Sequence, residues 1–200
     1  MIDLFVFDLG GVLVHDFDII PEAALRLGLA EGRMRDLAHP DMEDYLSGRI
    51  GPGEFWERFR VRSGLRVPEN YWATLFRPVL DPDMESLVLS LKSSGRVVCG
   101  TNTIDVHYEW LRERGFYSCF DAVYASQLLG VSKPRGEFWL RILEAEGRDP
   151  GRAFFTDDME ENVEAAGALG IRSHRFEGIG GLVSALEEAG IPVPVGRARL

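Results

Sequence analysis

Asp8, the pair Thr101-Asn102, and the pair Asp157-Asp158 each follow a short apolar run: Leu4 to Phe7, Arg96 to Cys99 and Ala153 to Thr156. Lys133, in Val131-Ser132-Lys133-Pro134, comes shortly after a fourth run, Ala122 to Ala125. Three crowded carboxylates repel one another unless a cation joins them, and a hard, oxygen-lined site suits Mg2+. Beside such a cation a phosphate could rest against Asp8 while Lys133 and Thr101 hold its remaining oxygens. Asp8 could then act as a covalent nucleophile, giving an aspartyl-phosphate that water hydrolyses. Taken singly, each residue has a plainer reading. A strand-end acid is as often a helix cap or turn residue, Lys133 alone reads as a solvated lysine, and Asn102 or Asp105 could cap the helix that follows. The ordered set is what points to chemistry on a small phosphorylated metabolite.

The elements that must deliver these residues are legible as a pattern. The apolar runs, with Ile171 to Arg175, predict five strands. Between them lie helix-period segments: Leu87, Val88 and Leu91; Val106, Trp110 and Leu111; Phe138, Trp139, Ile142 and Leu143; Met159, Val163 and Ala166; Leu182, Val183 and Leu186. Gly95, Gly115, Gly147, Gly170 and Gly190 follow these segments and are expected as left-handed caps. Strands alternating with helices predict a doubly wound α/β fold with a parallel sheet, whose ligands collect beyond the carboxyl ends of the strands. Residues 18–77 differ. They hold no convincing strand, and Pro21, Pro52 and Pro68 mark helix starts. This stretch is expected as an all-helical insertion between core segments 1–17 and 78–190, with a frayed tail over 191–200. Its aromatics, Phe55, Trp56 and Phe59, then Tyr71, Trp72, Leu75 and Phe76, read as core packing rather than ligand stacking.

Composition narrows the classes. The 200 residues are 46% hydrophobic and 27% charged, as in an ordinary folded protein. A net charge of −10 with no basic cluster argues against nucleic acid as a partner. No apolar run is long enough to span a membrane, and the two acids in the first eight residues argue against a secretory leader. Cys99 and Cys119 have no metal-like spacing and read as buried reduced thiols, which fits a cytoplasmic protein.

With these residues in view, the chain resembles the haloacid dehalogenase-like hydrolases. Phe7-Asp8-Leu9-Gly10-Gly11-Val12-Leu13 is similar to the first family motif, Thr101-Asn102 to the second, Lys133-Pro134 to the third, and Asp157-Asp158 with Asn162 to the fourth. The segments Ser126 to Pro134 and Phe155 to Val163, and Ser47-Gly48-Arg49-Ile50 before Phe55, resemble a sugar-phosphatase branch that includes α-D-glucose-1-phosphate phosphatases. The resemblance implies that Asp8 is nucleophile and metal ligand and that the Gly10 carbonyl is a second ligand. It implies that Asp157 binds Mg2+ directly and Asp158 directly or through water. Thr101, Asn102 and Lys133 would contact the phosphate, with Gly11 also on the substrate side, and the helical insertion would be a cap that closes over the site.

One position departs from the wider family. Most of its phosphatases carry a second aspartate two residues after the nucleophile, as general acid and base, and here that residue is Gly10. The sugar-phosphatase branch carries the same Asp-Leu-Gly, and an anomeric hydroxyl leaves more easily than an ordinary alcohol. His15, Asp16 and His107 are the nearest candidates for a substitute. Gly10 also leaves two other classes open: a nearly silent protein that binds a phosphorylated ligand or a partner, and a metal-free carbon-halogen hydrolase.

Overall fold

The computed structural model describes residues 1–193. In chain order its elements are β1 (Leu4–Phe7), β2 (Val14–His15), α1 (Ile20–Leu27), α2 (Glu31–Leu46), α3 (Pro52–Ser63), α4 (Tyr71–Thr74), β3 (Val79–Leu80) and α5 (Pro82–Leu91). There follow β4 (Arg96–Thr101), α6 (Asp105–Glu113), β5 (Ala122–Ala125), α7 (Ser126–Leu129), α8 (Gly136–Glu146), β6 (Ala153–Asp157), α9 (Glu160–Ala168), β7 (Arg172–Arg175) and α10 (Ile179–Glu188). The five expected strands form one parallel sheet in the order β5-β4-β1-β6-β7.

Strand periodicity explains why helices cover both faces. Leu4, Val6, Val98 and Phe155 point one way, into a cluster with Phe138, Trp139 and Ile142 of α8 and Ala166 of α9. Their neighbours Phe5, Phe7, Val97, Cys99 and Phe154 point the other way, against Val88 of α5, Leu111 of α6 and Leu182 of α10. A sheet buried on both sides has strands that read as continuous apolar runs, which is how β1 and β6 read in the sequence. Cys99 and Cys119 are both free and buried. Burial holds the Cys99 thiol well above its ordinary pKa and pushes Cys119 up to about 11.

Residues 20–74 hold α1 to α4 and no strand. Pro21 and Pro52 stand in the first turns of α1 and α3, where a missing N–H costs nothing. Pro68 does not start a helix; it lies in the loop three residues before Tyr71, where α4 begins. Phe55, Trp56, Phe59, Tyr71, Trp72 and Phe76 are buried. Phe55 packs edge-on to Trp56 and Trp72, at 5.3 and 5.5 Å between ring centroids. Buried Asp41 on α2 accepts hydrogen bonds from Arg58 and Arg62 and so ties α2 to α3.

Two features escape the periodicity argument. Strands β2 and β3 are two residues each and pair antiparallel, Val14 with Leu80 and His15 with Val79, where the chain leaves the sheet for the helices and returns. The short helix α7 directly follows β5. One expected cap also has a different basis: Gly115, Gly147, Gly170 and Gly190 adopt left-handed φ, but Gly95 does not. A Cβ on Gly95 would stand 2.5 Å from the Asp3 carbonyl, so close approach to β1 is what requires glycine there. Of the expected tail, residues 194–200 lie outside the described residues, and Ile191 is buried. No helix among the described residues is long and apolar enough to cross a membrane.

Candidate active site

The register of the three central strands brings the acids together. Phe7 pairs with Cys99 on one side and Thr156 on the other, so Asp8, Thr101 and Asp157 leave the sheet at one edge. The Asp8 N–H donates to the Thr156 carbonyl at 2.9 Å, continuing the ladder one residue past the strand. Thr101 ends β4 and Asp157 ends β6, and both are buried. Asp8, Asp157 and Asp158 each offer a carboxylate oxygen, and these atoms lie within 4.8 Å of one another.

Lys133 is the only cation in direct contact with this group among the described residues. Its Nζ lies 2.9 Å from Asp8 Oδ1 and 2.6 Å from Asp157 Oδ2, and its side chain is 1% exposed. Burial works against the ammonium, but Asp8 and Asp157 outweigh it and hold the pKa above the ordinary lysine value. Burial pushes Asp8 up to about 6; Lys133 opposes the shift and Asp157 adds to it. Asp158 is also raised, first by burial and then by the charge of Asp157.

The two acids of the Asp157-Asp158 pair have different surroundings. Asp157 is fully buried and already holds four donor contacts: Lys133 Nζ, the Met159 N–H at 2.9 Å, and Asn162 Nδ2 at 3.0 Å from each oxygen. These contacts fix Lys133 and the start of α9 around one of the three carboxylates that could hold a metal ion. Asp158 is partly exposed and lies against Gly11, where any Cβ would overlap its carboxylate. Gly11 also has φ +73, so side chains are excluded there on two counts.

Two other expected site residues make hydrogen bonds within the protein. Asn102 neither caps α6 nor points a free amide outward: its Nδ2 donates to the Lys133 carbonyl at 2.9 Å, and its Oδ1 accepts the Lys133 N–H at 2.8 Å. It clamps the main chain that carries the ammonium. The Gly11 N–H donates to the Val14 carbonyl at 2.9 Å. Asn162, placed in the fourth motif but given no role from sequence, holds both oxygens of Asp157; the signal was its place in the first turn of α9, directly after the acidic pair.

The three residues nearest to substituting for the missing acid have different surroundings. His15 is exposed, with Nε2 3.4 Å from Asp81 Oδ2. Asp16 is exposed in a left-handed conformation at φ 56. His107 donates Nε2–H to the Trp72 carbonyl at 2.8 Å and stacks on Phe76 with ring centroids 3.7 Å apart. Burial lowers its pKa to about 4, so at neutral pH it carries no extra proton to give. Phe17 takes the space beside Gly10: its ring carbons lie 3.3 to 3.4 Å from where a Cβ would stand.

The insertion reaches the site through α2. Ser132, next to Lys133, donates Oγ–H to Glu43 at 2.6 Å, and Arg135 lies 3.4 Å from the same carboxylate. Gly48 backs onto the Gln127 carbonyl so closely that a Cβ there would stand 2.5 Å from it.

Comparison with known proteins identifies relatives of the chain. A family model described as haloacid dehalogenase-like hydrolase matches residues 2–170. The chain is 31% identical over 184 residues to a sesquiterpene phosphatase of Aspergillus oryzae, covering 83% of this chain and 85% of that one. It is 28% identical over 195 residues to a D-ribitol-5-phosphate phosphatase of Bacteroides thetaiotaomicron, covering 88% and 93%. Among solved structures, a HAD family enzyme of Bacteroides thetaiotaomicron in complex with magnesium and inorganic phosphate superposes with a TM-score of 0.73 at 26% identity, covering 88% of this chain and 94% of that one.

Proposed function

The chain belongs to the haloacid dehalogenase-like hydrolases, and on that premise we propose that it is a Mg2+-dependent phosphatase that hydrolyses a small phosphomonoester through an aspartyl-phosphate on Asp8. The observation that carries this reading is the contact of Lys133 Nζ with Asp8 Oδ1, set beside a cluster of three carboxylates. A dense group of hard oxygen donors with a single ammonium fits Mg2+, and relatives of the chain are phosphatases by name. Asp8, Asp157 and Asp158, with the Gly10 carbonyl, would hold the ion. When bound, Mg2+ supplies positive charge against the phosphate oxygens.

The chain's own residues do the rest. Asp8 attacks phosphorus and the bond from phosphorus to the leaving oxygen breaks, giving the acyl phosphate and an alkoxide that takes its proton from water. Water then attacks the acyl phosphate, phosphate leaves, and Asp8 returns as the carboxylate. Lys133 neutralises the nucleophile and, with the Thr101 hydroxyl, holds phosphate oxygens. Asn102 and Asn162 are positioning residues for Lys133 and Asp157. Residues 18–77 act as a cap over core segments 1–17 and 78–190, with the β2–β3 pair as its neck. The buried reduced cysteines suit a reducing compartment such as the cytoplasm.

Hydrolysis of p-nitrophenyl phosphate should require Mg2+ and disappear in Asp8→Asn; unchanged activity in that variant removes Asp8 as nucleophile. Gly10 favours one second reading, a slow or silent phospholigand binder, which substantial turnover of any metabolite would eliminate. Chloride release from a haloacid in excess chelator would revive the carbon-halogen reading, against which the three clustered carboxylates weigh.

The leaving group is not fixed by likeness. Relatives of comparable similarity are named for a sesquiterpene and for ribitol 5-phosphate. The sugar phosphate expected from the resemblance would need donors and acceptors in the cap.

A further inference from the structure

A cavity of about 550 Å³ lies where the segment after β2 and helices α1, α2 and α4 meet α6 of the core. That is within the roughly 300 to 1,000 Å³ of small-ligand sites. Phe17, Ile19, Ile20, Met42, Leu46 and Trp72 supply most of its apolar wall. Of the polar groups at its edge, Asp18, Arg35 and His107 are already engaged, while Asp36 and His39 are exposed. Arg35 is held by Asp18 and Glu31, and His107 is neutral and bonded to the Trp72 carbonyl. A polyol placed here would exchange water for hydrocarbon at several hydroxyls, which is unfavourable unless each finds a partner.

Phe17 joins this cavity to the chemistry. Its ring forms part of the cavity wall and also covers Gly10, two residues after Asp8. The apolar wall of the cavity thus comes within van der Waals reach of the loop that follows the nucleophile.

We propose that this cavity receives the leaving group and that the preferred substrate is the phosphate monoester of an extended hydrocarbon alcohol, in place of a sugar phosphate. The proposal rests on the phosphatase reading and adds the substrate class. It also gives Phe17 a role: the space that a second aspartate would need is spent on apolar wall.

The test is a series of n-butyl, hexyl, octyl and decyl phosphates, with glucose 1-phosphate and p-nitrophenyl phosphate alongside. Burying one more methylene is worth about a threefold to fourfold gain, so kcat/KM should climb by that factor per methylene until the cavity is full, with glucose 1-phosphate below butyl phosphate. A flat series, or glucose 1-phosphate ahead of octyl phosphate, overturns the proposal. If p-nitrophenyl phosphate is not hydrolysed either, the phosphatase reading is what fails. The cavity is then judged by alkylphosphonates of the same lengths, read as Tm shifts in Mg2+: a rise with chain length supports it and equal shifts overturn it. Met42→Trp should bring the plateau to shorter chains in either assay, and an unmoved plateau places the chain elsewhere.

Discussion

Lys133 Nζ and Asp8 Oδ1 stand 2.9 Å apart in an almost fully enclosed setting, and the same ammonium reaches Asp157 Oδ2 at 2.6 Å. Removing one member of a buried ion pair leaves the other charge uncompensated, at a cost of roughly 3 to 5 kcal/mol. Lys133→Met should therefore lower metal-free stability by about that amount in urea unfolding and reduce p-nitrophenyl phosphate hydrolysis at least a hundredfold. A variant within about 1 kcal/mol of wild type would mean that the contact matters little for the fold.

Asp8 gives a pH dependence of defined sign. Its folded pKa, about 6, lies above the ordinary value of 3.8. The metal-free fold thus binds this proton more tightly than the unfolded chain does. Asp8's contribution to stability is fully present below pH 3.8 and is lost as pH rises through 6. Measured as wild type minus Asp8→Asn, stability should fall between pH 4 and 7 by up to about 3 kcal/mol, on the scale of about 1.4 kcal/mol per pKa unit. Mg2+, which favours the carboxylate, should shrink the fall. A difference that rises with pH would reverse the assigned sign.

Much of this site was legible because its acids and Thr101 stand at the ends of apolar runs, with Lys133 a short way past a fourth, and a strand buried on both faces can hardly be written otherwise. Asp8, Thr101, Asp157 and Lys133 needed only that pattern to be placed at one edge. What the pattern could not tell was the partner of each side chain. Asn102 is equally good as a helix cap, a phosphate contact or a main-chain clamp, and only the fold of the Lys133 loop decides for the clamp. Asp157 and Asp158 are adjacent and alike in sequence, yet one faces inward to three donor groups and the other outward. Strands β2 and β3 are shorter than any period, and Phe17 sits in an aperiodic segment, so neither the neck nor the cavity wall left a sequence signal.

The two adjacent aspartates should separate in a metal titration. Mg2+ bound only by the folded state stabilises it by about 2.7 kcal/mol at a hundredfold excess over Kd. Asp158→Asn should leave the metal-free Tm within a few degrees of wild type but weaken the Mg2+-induced rise. Asp157→Asn, which disturbs Lys133 and Asn162 together, should lower the metal-free Tm itself. An Asp157→Asn variant as stable as wild type without Mg2+ would mean that the contacts with Lys133 and Asn162 matter little for the fold.

Gly10 and Phe17 together set the last expectation. A Cβ at residue 10 would meet the Phe17 ring at 3.3 Å, tight enough that the ring must shift before an aspartate fits. Gly10→Asp alone should therefore gain little. Combined with Phe17→Ala, the carboxyl has room beside the leaving oxygen, and positioned acid-base help is typically worth about a hundred- to ten-thousand-fold. Alkyl phosphates, whose alkoxides leave poorly, should gain at least tenfold in kcat. p-Nitrophenyl phosphate, whose leaving group needs no proton, should change little. The lost ring should raise KM for long chains at the same time. The same gain for both classes of leaving group would show that the new carboxylate acts by some means other than proton transfer to the leaving oxygen.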